Sequence, residues 1–275
     1  MKKRLCKMAA SAVLLSMMAV VAVGCGKKDE PVPEENPTPT QTQTAEDSQV
    51  TEETESQEES AGEVFEVEIE TIDGSRRDDE GNLLASIYMQ YPVVKGDTDA
   101  VDAINAYYDR LQVEYSPLNS AVLEDLDQAL AYSDDMSEFP YEDYTACAVS
   151  RNDGEYFCVM NQYVWYAGGV MNSGMMGDVF DSATGKKLTV VDLYPDMSEE
   201  EVKEMLLGIC EQEINKNPDE YFQESDFGYS SMEIISQYNV EELNFYMYDG
   251  KIVLSFGPYE IGYGGWYREI EIGTY

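Results

Sequence analysis

The sequence predicts an α+β fold, in which antiparallel β-sheets built from hairpins carry amphipathic helices on one face. Apolar and charged residues alternate at positions 65–70 and 266–272, which is the period of a strand with one solvent-facing side. Strong turn signals at 152–154 and 249–250 separate apolar runs, as in β-hairpins. Three other segments have apolar residues at helical spacing, and these segments do not alternate regularly with the strands.

The folded part is predicted to open with two strands. Phe65, Val67 and Ile69 alternate with glutamates, so one face of the first strand is expected to be exposed to solvent. The second strand is predicted over 84–94 and is expected to stop near Pro92.

Two amphipathic helices are predicted to follow these strands. Asp97 and Thr98 can cap the first helix, and Pro117 is expected to break or kink it. The apolar stripes predicted to lie in the core are Val101, Ile104, Tyr108, Leu111 and Tyr115 in the first helix, and Val122, Leu123, Leu126 and Leu130 in the second.

The middle of the chain is predicted to be rich in hairpins. Strands at 144–151 and 155–166 flank the turn Asn152-Asp153-Gly154. The stretch 163–194 is predicted to form a strand, a Gly-Gly turn, a second strand, a tight Asp…Thr-Gly turn, a third strand and a cap into a helix.

The C-terminal part is predicted to hold one long helix and three strands. Ser198 and Glu201 form a capping box, and the helix is expected to end before Pro218. Residues 219–238 are weakly patterned and are predicted to form a loop with a short helix. The remaining strands are predicted at 243–248, 252–256 and 266–272.

The N-terminal segment has the pattern of a bacterial lipoprotein signal. Basic residues precede an apolar run over 8–23, and small residues lead to Cys25. The run is shorter than the roughly 20 residues of a spanning helix. We therefore expect a signal peptide over 1–24, a diacylglyceryl-type anchor on Cys25 and a protein held at the extracytoplasmic face of the cell membrane; an uncleaved membrane anchor is the alternative. Residues 25–62, rich in Pro, Thr and Glu, are predicted to form a disordered acidic linker.

The composition excludes several functional classes. The net charge is -38, which repels nucleic acid and attracts cationic partners. The chain has no histidine, so a Ser-His-Asp or Cys-His pair and a histidine-based zinc site are excluded. Glycoside cleavage by two carboxylates stays open as an alternative.

Three cysteines are predicted to be buried small apolar residues: Cys147, Cys158 and Cys210. A two-residue hairpin turn would put Cys147 opposite Met160, with Cys158 as a diagonal neighbour on the same face. A one-residue change in the loop would put the two thiols on opposite faces. Without histidine these cysteines give no convincing metal site, and neither a metal nor a cofactor is predicted.

Short motifs in the C-terminal part resemble the extracellular domain of the RsiV family of lysozyme-sensing anti-sigma factors. In chain order the motifs are Tyr166-Ala167-Gly168-Gly169, Phe180-Asp181, Thr184-Gly185-Lys186-Lys187-Leu188-Thr189, Asp192-Leu193-Tyr194, Asn244-Phe245-Tyr246, Asp249-Gly250 and Pro258-Tyr259-Glu260-Ile261. The region 84–115 is similar to the accessory domain of PdaC-type peptidoglycan deacetylases. The resemblance implies an accessory domain over 63–160, an RsiV-like domain over 161–275, and a lysozyme-like or peptidoglycan partner.

The chain also departs from both families. The zinc-dependent catalytic domain of the deacetylases has no counterpart in this sequence, which lacks histidine. Only a short segment precedes the apolar run, so we do not expect this chain to sequester a sigma factor. The family often continues the Gly-Gly with a histidine-containing loop, which is replaced here by Val170–Gly174.

Most motif residues are predicted to build the fold, whereas two loops are predicted to bind a partner. The loop 170–176 offers methionine, asparagine and glycine as an adaptable surface. The loop 259–266 offers tyrosine and tryptophan among glycines, as binding surfaces often do. The candidate binding residues are Gly168, Gly169, Met171, Asn172, Met175, Met176, Tyr259, Tyr263 and Trp266.

No catalytic motif stands out, so the first functional hypothesis is a cell-surface lipoprotein with a non-catalytic recognition module. Its expected partner is a cationic protein such as lysozyme, or a cell-wall component. The second hypothesis is a carboxylate-based hydrolase of wall glycan or peptide. The third is a structural or assembly lipoprotein without a soluble ligand.

Overall fold

The computed structural model describes residue 62 and residues 64–132 and 140–275, so the predicted leader, Cys25 and nearly all of the linker lie outside the described residues. One sheet has six strands: β1 (Glu66–Asp73), β2 (Arg76–Arg77), β3 (Leu83–Lys95), β4 (Tyr141–Asn152), β5 (Tyr156–Tyr166) and β6 (Asn172–Asp181). The second has three: β7 (Phe245–Tyr248), β8 (Lys251–Phe256) and β9 (Arg268–Thr274). The helices are α1 (Asp99–Glu114), α2 (Ala121–Tyr132), α3 (Glu199–Lys216), α4 (Glu224–Phe227) and α5 (Ser231–Ser236).

The predicted α+β class is confirmed, although the helices do not all lie on one face. The large sheet has the order β1-β3-β4-β5-β6, with β2 beside β3. Helices α1 and α2 cover one face, where Phe157 and Phe180 pack against the α1 stripe. On the other face, Cys158 and Val179 pack into a core shared with α3 and the small sheet. The large sheet is therefore the middle layer of the fold.

One strand pair departs from the antiparallel expectation. β3 and β4 pair in parallel, from Ala85 opposite Tyr141 to Met89 opposite Thr145. A parallel pair requires a long crossover, and here the chain between the two strands contains α1 and α2. The neighbouring pairs are antiparallel, as the hairpin pattern predicts.

Pro92 does not end the second strand, contrary to the expectation. β3 continues to Lys95, and Pro92 lies opposite Ile69 of β1. On its other edge, β3 pairs with β4 only as far as Met89. Further along this edge, the backbone N–H and carbonyl oxygen of Val94 bond to the Asn105 side chain. Alternate residues of a strand direct their backbone groups to the same edge, so Pro92 and Val94 both face the edge of β3 that β4 has left. The missing N–H of Pro92 therefore costs no hydrogen bond between strands.

The first hairpin is confirmed, but its register follows the second of the two alternatives. A bulge between Val149 and Arg151 shifts the pairing, so that Cys147 lies opposite Asn161 and Cys158 opposite Arg151. The thiols of Cys147 and Cys158 consequently lie on opposite faces, in different cores. These two cysteines and Cys210 are free and buried, as predicted. Burial raises the pKa of each thiol to about 12.

The boundary proposed after residue 160 lies inside β5. β5 pairs along its whole length with β4 on one side and with β6 on the other. The described residues on both sides of this boundary belong to one compact unit. Residues before and after this boundary thus contribute strands to the same sheet.

Candidate functional site

The two loops predicted to bind a partner lie side by side. The backbone N–H of Ser173 donates to the carbonyl oxygen of Gly265 at 2.8 Å, and Ser173 forms a parallel bridge with Trp266. The backbones are so close that a Cβ on Gly265 would lie 2.2 Å from the carbonyl oxygen of Met171. The two loops thus meet where residues 170–173 contact residues 265–266, and residues 168–172 and 259–266 together are called here the paired-loop surface.

Most of the candidate residues on this surface are exposed. Trp266 is 60% exposed, and Tyr259 and Met171 are also exposed, as are Gly168 and Gly169. Val170, which the sequence did not single out, adds another exposed apolar side chain. The paired-loop surface thus presents several large apolar groups together, as protein-binding surfaces do.

The expectation that 170–176 is a loop is wrong beyond Met171. Asn172 begins β6, where Asn172 and Met176 are half-buried and Met175 is buried between the sheets. The glycines that suggested a loop instead permit close packing within a strand. A Cβ on Gly174 would lie 2.2 Å from the ring of Tyr163, its cross-strand partner.

A cluster of aromatic rings adjoins the paired-loop surface. Tyr263, half-buried itself, packs edge-on against Phe222 with ring centroids 5.2 Å apart, and the exposed rings of Phe227 and Tyr229 stack 5.9 Å apart beside them. Sequence reasoning singled out Tyr263 but missed Phe222, Phe227 and Tyr229, because residues 219–238 have no clear apolar period. The signal available was the density of Tyr and Phe in a short polar segment.

Arg268 fixes the conformation of the 259–266 loop. Its guanidinium donates to the carbonyl oxygens of Tyr263 at 2.6 Å and of Glu220 at 3.3 Å. Tyr263 also donates its hydroxyl to Asp226. The loop is therefore held in place by side-chain bonds, and carboxylates border its apolar groups.

A cleft of about 510 Å³ lies on the helix-covered face of the large sheet, between α1 and strands β3 to β6. Its floor holds Asp178, which is only 4% exposed. The Asp178 carboxylate accepts hydrogen bonds from Tyr107 Oη and Asn161 Nδ2, both at 2.6 Å, from Tyr108 Oη at 3.3 Å, and from Lys187 Nζ. Both carboxylate oxygens are thus occupied by donors from three parts of the chain.

The electrostatics of this floor follow from burial. Burial and the Asp178 carboxylate raise the pKa of the Tyr107 and Tyr108 phenols well above the usual value. Burial also raises the pKa of Asp143, which lines the same cleft and accepts a hydrogen bond from the Ser120 hydroxyl. Sequence reasoning missed Asp178; the available signal was a carboxylate within a run of apolar residues and glycines at 174–180.

The short motifs at 180–189 and 192–194 build turns, as the sequence predicts. Asp181 accepts from the backbone N–H of Thr184 at 2.7 Å, and Gly185 has a positive φ of 69°. A Cβ on Gly185 would lie 2.4 Å from the carbonyl oxygen of Ala100, so this turn also packs tightly on α1. Asp192 accepts from the backbone N–H of Thr189 at 2.8 Å.

Within residues 64–132 and 140–275, no group of three or more potential ligand residues could hold a metal ion. In the same ranges, no helix is long and apolar enough to cross a bilayer.

No family model and no curated protein matches the sequence. The chain is similar to the crystal structure of a DUF3298 family member from Bacteroides fragilis, with a TM-score of 0.52 and 15% identity over 77% of this chain and 91% of that one. It is also similar to a DUF3298 family protein from Pseudomonas aeruginosa, with a TM-score of 0.46 and 13% identity over 77% of this chain and 92% of that one. The first of these similarities shows a shared fold, and DUF denotes a domain of unknown function.

Proposed function

We propose that this protein is a surface-anchored recognition module that binds a cationic protein through the paired-loop surface. The observation that carries the proposal is the juxtaposition of two loops, distant in sequence, which together expose Trp266, Met171 and Val170. Large apolar groups at the centre of an interface supply most of its binding energy. Backbone hydrogen bonds and Arg268 already order the loops in the free protein, so less conformational entropy is lost on binding.

The charge of the chain supports a cationic partner. A net charge of -38 attracts positively charged proteins over a distance of several ångströms and accelerates their encounter. The motif resemblance to the RsiV family, together with the PdaC-like segment, makes lysozyme the cationic protein to test first. A cell-wall component is the alternative ligand of the same surface.

Replacing Trp266 by alanine is expected to weaken lysozyme binding by at least about tenfold, because the largest exposed apolar group of the surface is lost. The measurement is isothermal titration calorimetry at low and moderate salt. Tyr248→Ala is the matched control, since Tyr248 is a 53% exposed aromatic residue at the β7–β8 turn, outside the paired-loop surface. Equal affinities for both variants would remove the paired-loop surface from the proposal, and no binding of lysozyme at either salt concentration would remove lysozyme as the partner.

We further propose that Cys25 carries the lipid that holds the module at the extracytoplasmic face of the membrane. Cys25→Ser is expected to abolish incorporation of radiolabelled palmitate and to move the protein from the membrane fraction to the soluble fraction. Cys6→Ser is the matched control, because Cys6 lies within the predicted leader and should not affect the anchored product. An unlipidated wild-type chain, or a Cys25→Ser variant that is still lipidated, would refute the anchor.

A carboxylate-based hydrolase is the second candidate function, because Asp143 and Asp178 line one cleft. Burial raises the pKa of Asp143, as a general acid requires. Asp178, however, has both oxygens engaged by protein donors, which disfavours a nucleophilic role. Turnover of purified peptidoglycan that Asp143→Asn abolishes would favour this function over the recognition module.

A further inference from the structure

The α1 cleft, defined by its lining on α1, on β3 to β6 and on the turn before α2, is large enough for a small molecule. Its volume of about 510 Å³ falls within the usual range of ligand pockets. It lies on the face of the large sheet covered by α1 and α2, whereas the paired-loop surface is built from the ends of β5, β6 and the small sheet. The cleft is therefore a separate site, and an inference from it does not depend on the cationic partner.

The cleft lies where β3 and β4 stop pairing with each other and side chains bond to the backbone groups of the two strands instead. β3 and β4 separate after Met89 and Thr145, and the Gln90 side chain then accepts from the backbone N–H of Cys147 at 3.3 Å. The Asn105 side chain satisfies the backbone of Val94 further along the same gap. Because the exposed strand edges are bonded, the gap is stable without a further strand.

Two amide groups in the cleft retain unused hydrogen-bonding capacity. Asn161 is only 7% exposed and donates from Nδ2 to Asp178, while its Oδ1 accepts no hydrogen bond within the described residues. Gln90 uses its Oε1 for Cys147, and its Nε2 donates to no group in the same ranges. One site thus offers a buried acceptor and a donor, which a hydroxylated ligand can satisfy at once.

The remaining walls combine apolar and aromatic side chains with small polar ones such as Ser116 and Asn119. Met89, Leu111 and Met176 line the cleft, and Tyr115, at the C-terminal end of α1, exposes its ring at the opening. A sugar ring has an apolar C–H face and polar hydroxyl edges, so it matches a site with an exposed aromatic ring on one side and amides on the other.

The charges of the cleft exclude an anionic ligand. Lys187 is the only basic residue among the described lining residues, and its Nζ is bonded to Asp178. Asp143 accepts from Ser120, and the third carboxylate, Glu114, lies on the exposed rim. A phosphate or carboxylate would therefore meet acidic groups without a free cation, whereas an uncharged ligand meets no such penalty.

We propose that the α1 cleft binds an uncharged saccharide of one or two rings, which stacks on Tyr115 and bonds to Asn161 and Gln90. The source of the saccharide is distinguished by the probes. Chitobiose represents N-acetylated amino-sugar glycans, whereas cellobiose and maltose represent plain glucans. Glucose 6-phosphate and glucosamine test whether a negative or a positive charge is accepted.

The test is titration of the purified full chain with these probes, followed by saturation-transfer-difference NMR. One of the three neutral disaccharides is expected to bind saturably, and glucose 6-phosphate is not. Tyr115→Ala is expected to weaken that binding by about fivefold, whereas Tyr248→Ala, with its similarly exposed ring far along the chain, should leave it unchanged. Both positions are exposed, so both variants should fold, and circular dichroism checks this.

Three results would overturn the proposal. The first is the absence of saturable binding by all three neutral disaccharides. The second is tighter binding of glucosamine than of any neutral sugar, which would assign the cleft to a cationic ligand. The third is unchanged affinity in both Tyr115→Ala and Asn119→Ala, since both residues line the opening. Lysozyme binding by the same preparation is measured separately, so failure of the saccharide does not count against the paired-loop surface.

Discussion

Replacing Gly177 by alanine is expected to destabilise the protein by about 3 kcal/mol or more. A Cβ at this position would lie 1.9 Å from the carbonyl oxygen of Phe245, which belongs to the backbone of β7 and cannot rotate away. The two strands are also tied by the Asn244 side chain, which accepts from the Gly177 N–H and donates to the Met175 carbonyl, both at 2.9 Å. Separating β6 from β7 to admit the methyl group would break these bonds. Urea denaturation followed by circular dichroism measures the loss.

Gly208→Ala is the matched control for this prediction. Gly208 lies inside α3, and a Cβ there would meet nothing within 4 Å. The same chemical change should therefore stabilise the protein, by about 0.5–1 kcal/mol, because alanine favours the helix. If the two alanine variants had equal stability, the close contact between β6 and β7 would be refuted.

Features that depend on neighbouring residues were predictable from the sequence. Thr98 accepts from the Val101 N–H, and Ser198 and Glu201 form the predicted capping box. The Asn152-Asp153-Gly154 turn likewise joins β4 to β5. In each case the side chain that ends or begins the element lies within three residues of the backbone group it bonds, so its spacing is visible in the sequence.

Features that depend on distant contacts were not predictable in the same way. Pro92 reads as a strand terminator. It is tolerated only because β4 diverges from β3 there and the Asn105 side chain bonds to the backbone of Val94 at the unpaired edge. Gly174 reads as a loop residue, and its role depends on the ring of Tyr163 across the sheet. The close approach of Gly177 to the backbone of β7 is equally invisible in the local sequence. A single bulge decided between the two alternatives for the cysteine faces. None of these partners lies near its residue in the sequence.

The candidate site shows the same division. Composition alone drew attention to Met171, Tyr259 and Trp266, because methionine offers an adaptable surface and because tyrosine and tryptophan among glycines recur in binding surfaces. Their proximity depends on the Ser173 to Gly265 hydrogen bond, which no local pattern reveals. Asp178 was missed because a lone carboxylate in a strand acquires meaning only when Tyr107, some 70 residues earlier, donates to it.

Asp178→Asn is the second substitution with a large expected effect, a loss of about 2–4 kcal/mol. The carboxylate receives donors from α1, β5 and the segment after β6, and asparagine offers one acceptor oxygen where four donors converge. Its own amide hydrogens would also point at those donors. Lys187 would then lose the charge that it neutralises.

The matched control is Asp127→Asn, which makes the same change on α2, where Asp127 forms an exposed ion pair with Arg76 of β2. This variant should lose less than about 1 kcal/mol. Equal losses in the two variants would mean that the four donors do not depend on Asp178.

Lys187→Met separates charge from hydrogen bonding. Because the two residues contact each other, the double variant with Asp178→Asn should be more stable than the sum of the two single losses predicts. Additive losses would place Lys187 outside the network, and only a non-additive result supports a floor in which one buried carboxylate holds α1 against the sheet.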